Sequence, residues 1–306
     1  MRIAAMKPVM KHLFPNFIVI GPGKSGTSWL YMVLNAHPQV CMSSAKETLY
    51  FENDYSRGPN WYSRFFRAAG SDQIRAVGEI SNTYIFSPLA ASRIAQDFPA
   101  MKLIATLRHP AERAFSHYQF LKRNAELDCS FEEALERRPD IKTRGNYFFH
   151  LQPYRELFSS KQLLIMLYDD LKRDVEAYAD QLFNFLEIDP LIDRDLLHTR
   201  VLEASEARSR WLAKFTVAAA HLVRRAGFPD IVTRVKSGML PKLVFRKIQR
   251  KAEVSPATYE LLCDYYRADI LQLSDWLGRD LSQLWLGSQP AASSALLQSA
   301  NSSPVK

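Results

Sequence analysis

Between Phe17 and Leu34 the chain runs FIVIGPGKSGTSWLYMVL, and this stretch constrains the fold more than any other. The apolar run Phe17-Ile18-Val19-Ile20 predicts a buried strand. It stops at Gly21-Pro22-Gly23-Lys24-Ser25-Gly26-Thr27-Ser28. Trp29, Leu30, Met32, Val33 and Leu34 then return at helical spacing, and Pro38 closes the segment. Strand, glycine-rich turn and helix together form a cradle for an anion. The glycines let backbone N–H groups approach closely, and the helix N-terminus adds partial positive charge. Lys24 supplies a full charge, while Ser25, Thr27 and Ser28 supply hydroxyls.

The nucleoside-triphosphatase signature G-x-x-x-x-G-K-[ST] would place glycine at 18, where this chain has Ile18. The loop is therefore P-loop-like without matching that signature. Further strands are predicted at Gln39–Met42, Arg75–Ser81, Lys102–Leu107 and Gln162–Tyr168. Helical patterns separate them: Leu89, Ile94 and Phe98; Pro110 to Leu121; Tyr147 to Phe158; Asp174 to Leu186. Ser130-Phe131-Glu132-Glu133 opens another helix as a capping box. Alternating apolar strands and amphipathic helices predict an α/β fold, P-loop-like, with about five parallel strands flanked by helices on both faces. Ser255-Pro256 caps a long helix to about Leu277, whose expected apolar stripe is Leu261, Leu262, Tyr265, Ile270 and Leu273.

A second anion motif lies in KLIATLRHPAERAFSHY, residues 102–118. Arg108 ends a strand, and Ser116 follows inside the next helix. A strand end and a nearby helix face converge at the crevice of an open α/β sheet. Arginine offers a planar fork to a phosphate, and serine adds one hydrogen bond.

These two motifs resemble those of sulfotransferases that use PAPS (3′-phosphoadenosine 5′-phosphosulfate). Gly23-Lys24-Ser25-Gly26-Thr27-Ser28-Trp29-Leu30 is similar to the family's 5′-phosphosulfate loop. Arg108, Pro110, Arg113 and Ser116 match its 3′-phosphate motif R-x-P-x-x-R-x-x-S, with His109 where the family more often has Asp or Asn. Lys46-Glu47-Thr48-Leu49-Tyr50-Phe51 resembles the K-E-x-x-F-F segment of the carbohydrate branch, which includes heparan sulfate sulfotransferases. Gly78-Glu79 followed by Asn82-Thr83-Tyr84, the segment from Gly145 to Leu171, and Leu277-Gly278-Arg279-Asp280-Leu281 support the same branch. The resemblance covers about residues 17–285.

What the resemblance implies is a transferase moving the sulfuryl group from PAPS to a hydroxyl or amine of a carbohydrate or glycolipid. Lys24 and Glu47 are the expected catalytic residues, Glu47 as the base. Lys24, Ser25, Gly26, Thr27, Ser28, Arg108, Ser116 and Arg208 are the expected donor-binding residues. Glu79 and the histidines are the alternative bases, and Lys46 is placed to assist at the sulfuryl group. No acidic metal cluster is visible, and Arg108 stands where a P-loop kinase would often carry a magnesium-binding Asp, so no metal is expected. Two other readings share parts of the pattern. A small-molecule or nucleotide kinase would need magnesium and ATP. A non-enzymatic polyanion binder would show steep salt dependence and no need for Lys24.

Composition bounds the rest. The 306 residues, 47% hydrophobic, suffice for one α/β domain over 17–286. A basic lead-in, 1–16, precedes it, and a tail at 287–306, low in bulky residues, is expected to be disordered. Net charge is +8. The excess lies between Ala207 and Lys251, where twelve lysines and arginines meet one acid, Asp230. Within the basic, less regular lobe 191–251, apolar residues interleave with the charges. That mixture suits an acceptor-side lobe, or peripheral contact with an anionic membrane surface, and not a specific nucleic acid. Cys41, Cys129 and Cys263 form no disulfide or metal pattern, and Cys41 and Cys263 are expected to be buried thiols. Without a signal-peptide core or a run of about 18 apolar residues, the expectation is a cytoplasmic protein, with peripheral membrane contact through the basic lobe.

Overall fold

The computed structural model describes residues 11–68, 73–199, 205–207, 245–247 and 254–287, with isolated positions between 219 and 231. Its centre is a five-stranded sheet: β1 (Phe17–Gly21), β2 (Val40–Met42), β3 (Ala76–Ile80), β4 (Lys102–Leu107) and β5 (Leu163–Leu167). All neighbours are parallel, in the order β2-β3-β1-β4-β5. The glycine turn at 21–28 therefore leaves the central strand. The β1–β4 register shifts between Val19 and Gly21, where the chain turns away.

The strands are continuous apolar runs because both sheet faces are covered. Phe17 and Val19 point to one core, with α1 (Thr27–Ala36) and α9 (Val175–Leu186) packed over it. Ile18 and Ile20 point to the other. The helices over that face are α3 (Pro88–Asp97), α4 (Pro110–Arg123), α7 (Tyr147–Leu157) and α10 (Pro256–Leu277). Shorter helices complete the chain: α2 (Pro59–Ser63), α5 (Phe131–Arg137), α6 (Pro139–Thr143), α8 (Tyr168–Arg173) and α11 (Leu281–Trp285). The predicted caps form: Ser130 accepts from Glu133 N at 3.2 Å, and Ser255 accepts from Thr258 N at 3.2 Å.

The stripe of α10 differs from expectation. Leu261 and Tyr265 are 71% and 40% exposed. The buried residues are Tyr259, Leu262, Tyr266, Ile270 and Leu273. Adjacent helical residues point about 100° apart, so a stripe through 262 and 266 turns 261 and 265 outward. Cys41 is buried as expected, but Cys263 is only half-buried, with its Sγ 3.9 Å from His109 Nε2. Two weak sequence signals meet here: Arg279 donates to Asp170 at 2.5 and 2.8 Å, tying the α10–α11 turn to the end of β5. The expected lead-in up to residue 10, the tail from 288 and most of the basic lobe lie outside the described residues.

Candidate active site

The site forms where β1, β3 and β4 end on one edge of the sheet. Gly21, at φ 109°, lies under the backbone of Asn82, whose carbonyl oxygen would be 2.4 Å from any Cβ there. Thr106 of β4 donates to the Ser25 carbonyl at 2.7 Å and fixes the far side of the turn. Gly26, at φ 97°, caps α1 with no side-chain partner, so the first-turn N–H groups of Thr27 and Ser28 point out of the turn. Ser25 is fully buried beside Tyr147, and Thr27 is 4% exposed. An anion seated on this turn would meet backbone amides first.

Lys24 takes a left-handed φ of 76°, and Glu47 one of 67°. A non-glycine residue in this region carries strain that its surroundings must hold, and such residues concentrate at functional sites. The Lys24 ammonium lies 4.9 Å from the centre of the Phe120 ring. Burial, with Arg123, Arg108 and Lys46 close by, lowers its pKa to about 8. Lys46 in turn donates to Ser28 Oγ at 3.0 Å, bringing the segment after β2 onto the loop.

Glu47 is clamped by the end of β3. Its N–H donates to the Ile80 carbonyl at 2.8 Å, and Asn82 Nδ2 donates to its Oε1 at 2.5 Å. Glu79, the alternative carboxylate, lies fully buried beneath this clamp. It accepts from Thr48 Oγ1 and Tyr62 at 2.6 Å, Ser81 at 2.9 Å and Tyr84 at 3.3 Å. Burial pushes its pKa up, while the hydroxyls of Thr48, Tyr62 and Ser81 oppose the rise. Glu79 thus holds Thr48, and through it the backbone next to Glu47. Glu52 is half-buried, accepts from Thr83 Oγ1 at 2.6 Å and feels the Glu47 charge.

Arg108 follows β4 directly, and its guanidinium donates to Glu112 at 2.9 and 2.7 Å. Ser116 sits midway along α4, one turn before Phe120, the ring under Lys24. His109 explains its own departure from the family motif: its Nδ1 accepts from Ala111 N at 3.2 Å and caps α4. Asp or Asn at this position would cap the helix in the same way. Its Nε2 donates to the Trp285 carbonyl at 2.6 Å. Arg113 is structural: it is 1% exposed and donates to the Ile141 carbonyl at 2.6 Å, joining α4 to α6. The other histidines of the sequence reading are placed unfavourably for a base. His37 is engaged at both ring nitrogens by Gln39 and Asp189. His117 is lowered to about 3 by burial and by Arg113 and Arg144. His150 contacts the Thr143 carbonyl.

The fold thus gathers Lys24, Ser25, Gly26, Thr27, Ser28 and Glu47 at one strand edge, with Arg108 close enough to act on Lys24. Arg208 lies outside the described residues. Two participants were given no role by the sequence. Arg123, whose guanidinium lies 5.1 Å from the same Phe120 ring, is seven residues beyond Ser116. Two helical turns return to one face, so that spacing was a readable signal. Asn82 had none, because its partner is 35 residues away on another strand end.

Comparison with known proteins shows the family. The sulfotransferase domain family matches residues 14–224, and the chain belongs to that family. A membrane-associated sulfotransferase, kil1, of Dictyostelium discoideum is 40% identical over 48% of this chain. The bifunctional heparan sulfate N-deacetylase/N-sulfotransferase 4 of Mus musculus is 32% identical over 58% of it. These alignments cover 32% and 22% of the two relatives, so the chain spans a third or less of their length. A crystal structure of a sulfotransferase from Alicyclobacillus acidocaldarius shares the fold, with a TM-score of 0.62 at 24% identity. That match covers 88% of this chain and 98% of the other.

Proposed function

We propose that this chain transfers the sulfuryl group of PAPS to a hydroxyl or amine of a carbohydrate or glycolipid acceptor. The observation that carries this reading is that Lys46 reaches Ser28 of the glycine turn and that Lys24 and Arg123 share the Phe120 ring, with Arg108 close enough to act on Lys24. Burying like charges together costs free energy that a bound polyanion offsets. A nucleotide with anionic groups at both 5′ and 3′ positions fits a loop at one end and Arg108 with Ser116 at the other. Arg208 is assigned to the 3′-phosphate on the resemblance alone.

In this reading Lys24, the amides of residues 25–28 and the hydroxyls of Thr27 and Ser28 neutralise the phosphate oxygen released as its bond to sulfur breaks. Glu47 takes the proton from the acceptor O–H or N–H as the new bond to sulfur forms. Asn82 holds one carboxylate oxygen, and the other is assigned this task. Lys24 and the amides supply the positive charge, so turnover is expected to survive EDTA; loss on chelation with recovery on magnesium supports a kinase instead.

The names of the relatives favour a carbohydrate acceptor, and one relative is described as membrane-associated. No helix among the described residues is long and apolar enough to cross a membrane. We place the chain in the cytoplasm, with the basic segment 207–251 against an anionic lipid surface. Flotation with anionic liposomes tests that placement: replacing Arg246, Lys247, Arg250 and Lys251 with Gln is expected to reduce binding. The donor is tested by thermal shift with PAP (adenosine 3′,5′-bisphosphate), ATP-Mg and heparin. A rise in Tm with PAP alone is expected, since a ligand of the native state raises it. Stabilisation by ATP-Mg but not PAP overturns the donor assignment.

A further inference from the structure

We infer that Asn82 is a positioning residue for the transfer step: it couples the Glu47 carboxylate to the glycine turn. The inference rests on the reading of Glu47 as the base. Its basis is a double contact. The Asn82 amide donates to Glu47 Oε1 at 2.5 Å, and its backbone lies 2.4–2.9 Å from the position of a Cβ on Gly21. Its side chain stands 3.6–3.9 Å from the equivalent position on Gly23. One residue therefore spans from the carboxylate to both glycines that precede Lys24. Glycine at 21 is what lets it sit so close.

The rest of the strand end makes this contact rigid. Ile80 O holds the Glu47 N–H, Glu79 holds Thr48, and Ser81 N donates to the Val19 carbonyl of β1 at 3.0 Å. Glu47 is thus fixed at its backbone, at its following residue and at one carboxylate oxygen. Only Oε2 is left by the Asn82 contact to face an acceptor proton. A neutral N–H donor is suited to this role, because it orients a carboxylate without supplying a proton or a charge. The charged groups recorded near it are Glu52, which feels its charge, Lys46, its sequence neighbour bonded to Ser28, and Glu79, bonded to Thr48.

The test uses PAPS with water as the acceptor, which needs no acceptor to be identified. Hydrolysis forms a bond from water oxygen to sulfur, breaks the sulfur–phosphate oxygen bond and passes one water proton to Glu47, giving sulfate and PAP. Single-turnover hydrolysis at saturating PAPS is measured with PAP Kd and Tm for wild type, Asn82→Ala, Asn82→Asp and Glu47→Gln. Asn82→Ala is expected to slow hydrolysis about 10–100-fold with PAP Kd unchanged, as for a misplaced reacting group. Asn82→Asp preserves shape but sets a carboxylate against Glu47. Its rate relative to wild type is expected to climb as pH falls, because a shared proton restores the donor. A purely structural role would give no such pH-dependent rescue. A slow Glu47→Gln beside Asn82 variants at the wild-type rate overturns the role of Asn82 alone. A Glu47→Gln as fast as wild type overturns the base assignment beneath it, and absence of PAPS turnover in the wild type overturns both.

Discussion

At the end of β1, Lys24 is half-buried among Arg123, Arg108 and Lys46, while on the neighbouring strand, at the end of β3, Glu79 is buried among hydroxyl donors. Both are ionisable groups inside the protein, and both have perturbed titration. The carboxylate is compensated from within: Thr48, Tyr62, Ser81 and Tyr84 all donate to it. The ammonium is surrounded by charges of its own sign. A buried charge that the fold compensates serves the fold, whereas one that the fold leaves uncompensated is waiting for a ligand. That contrast separates Glu79 from Lys24 more clearly than any motif does.

The sharpest break of the contrast is replacement of each buried group by an uncharged one. Lys24→Met is expected to lower transfer about 10²–10³-fold, the loss typical of a removed anion-stabilising donor. It should also stabilise the ligand-free protein by about 2–3 kcal/mol at pH 7, the fall in pKa from 10.5 to about 8 on folding being worth about 3.4 kcal/mol before solvent screening of a half-buried group is allowed for. The folded state binds fewer protons than the unfolded chain between these values, so wild-type stability rises with pH across that window. The advantage of Lys24→Met should therefore be full below pH 8 and fade toward 10.5, which thermal melts at several pH values will read. Glu79→Ala should do the opposite. It leaves several buried hydroxyls without their acceptor and is expected to destabilise by about 3 kcal/mol, measured by urea unfolding. A stabilised Glu79→Ala, or a destabilised Lys24→Met, would erase the distinction.

Binding sharpens the contrast in smaller steps. Arg108→Ala is expected to weaken PAP about 10–100-fold by calorimetry, the worth of a charged hydrogen bond to phosphate. Unchanged affinity would remove Arg108 from the donor site. A bound anion favours the charged form of Lys24, so PAP binding should take up protons above about pH 8 and weaken as pH rises further. Calorimetry in buffers of different ionisation enthalpy detects the uptake, and Lys24→Met should abolish it. The smallest effect expected is at Glu112, which holds the Arg108 guanidinium in a half-exposed ion pair. Glu112→Gln should tighten PAP only about 2–5-fold, because such pairs contribute little.

Local chemistry by itself determined the five strands, the turn at 21–28 and the helix caps, and it is the ground on which Lys24, Arg108 and Ser116 are proposed as anion-facing residues. Strand burial, glycine turns and caps depend on residues a few positions apart, so a linear reading reaches them. The tertiary structure decided which strand ends meet. Sequence order runs β1 to β5, but the sheet runs β2-β3-β1-β4-β5, and only that order sets the end of β3 beside the glycine turn. Asn82 therefore reaches Glu47 and Gly21, Glu79 goes beneath Thr48, and Arg279 finds Asp170 across 109 residues of chain. The direction of the α10 stripe was decided the same way, by packing on neighbouring elements, where Tyr266 donates to the Lys142 carbonyl of α6. Such contacts arise from packing one element on another, and no spacing within a single element encodes them.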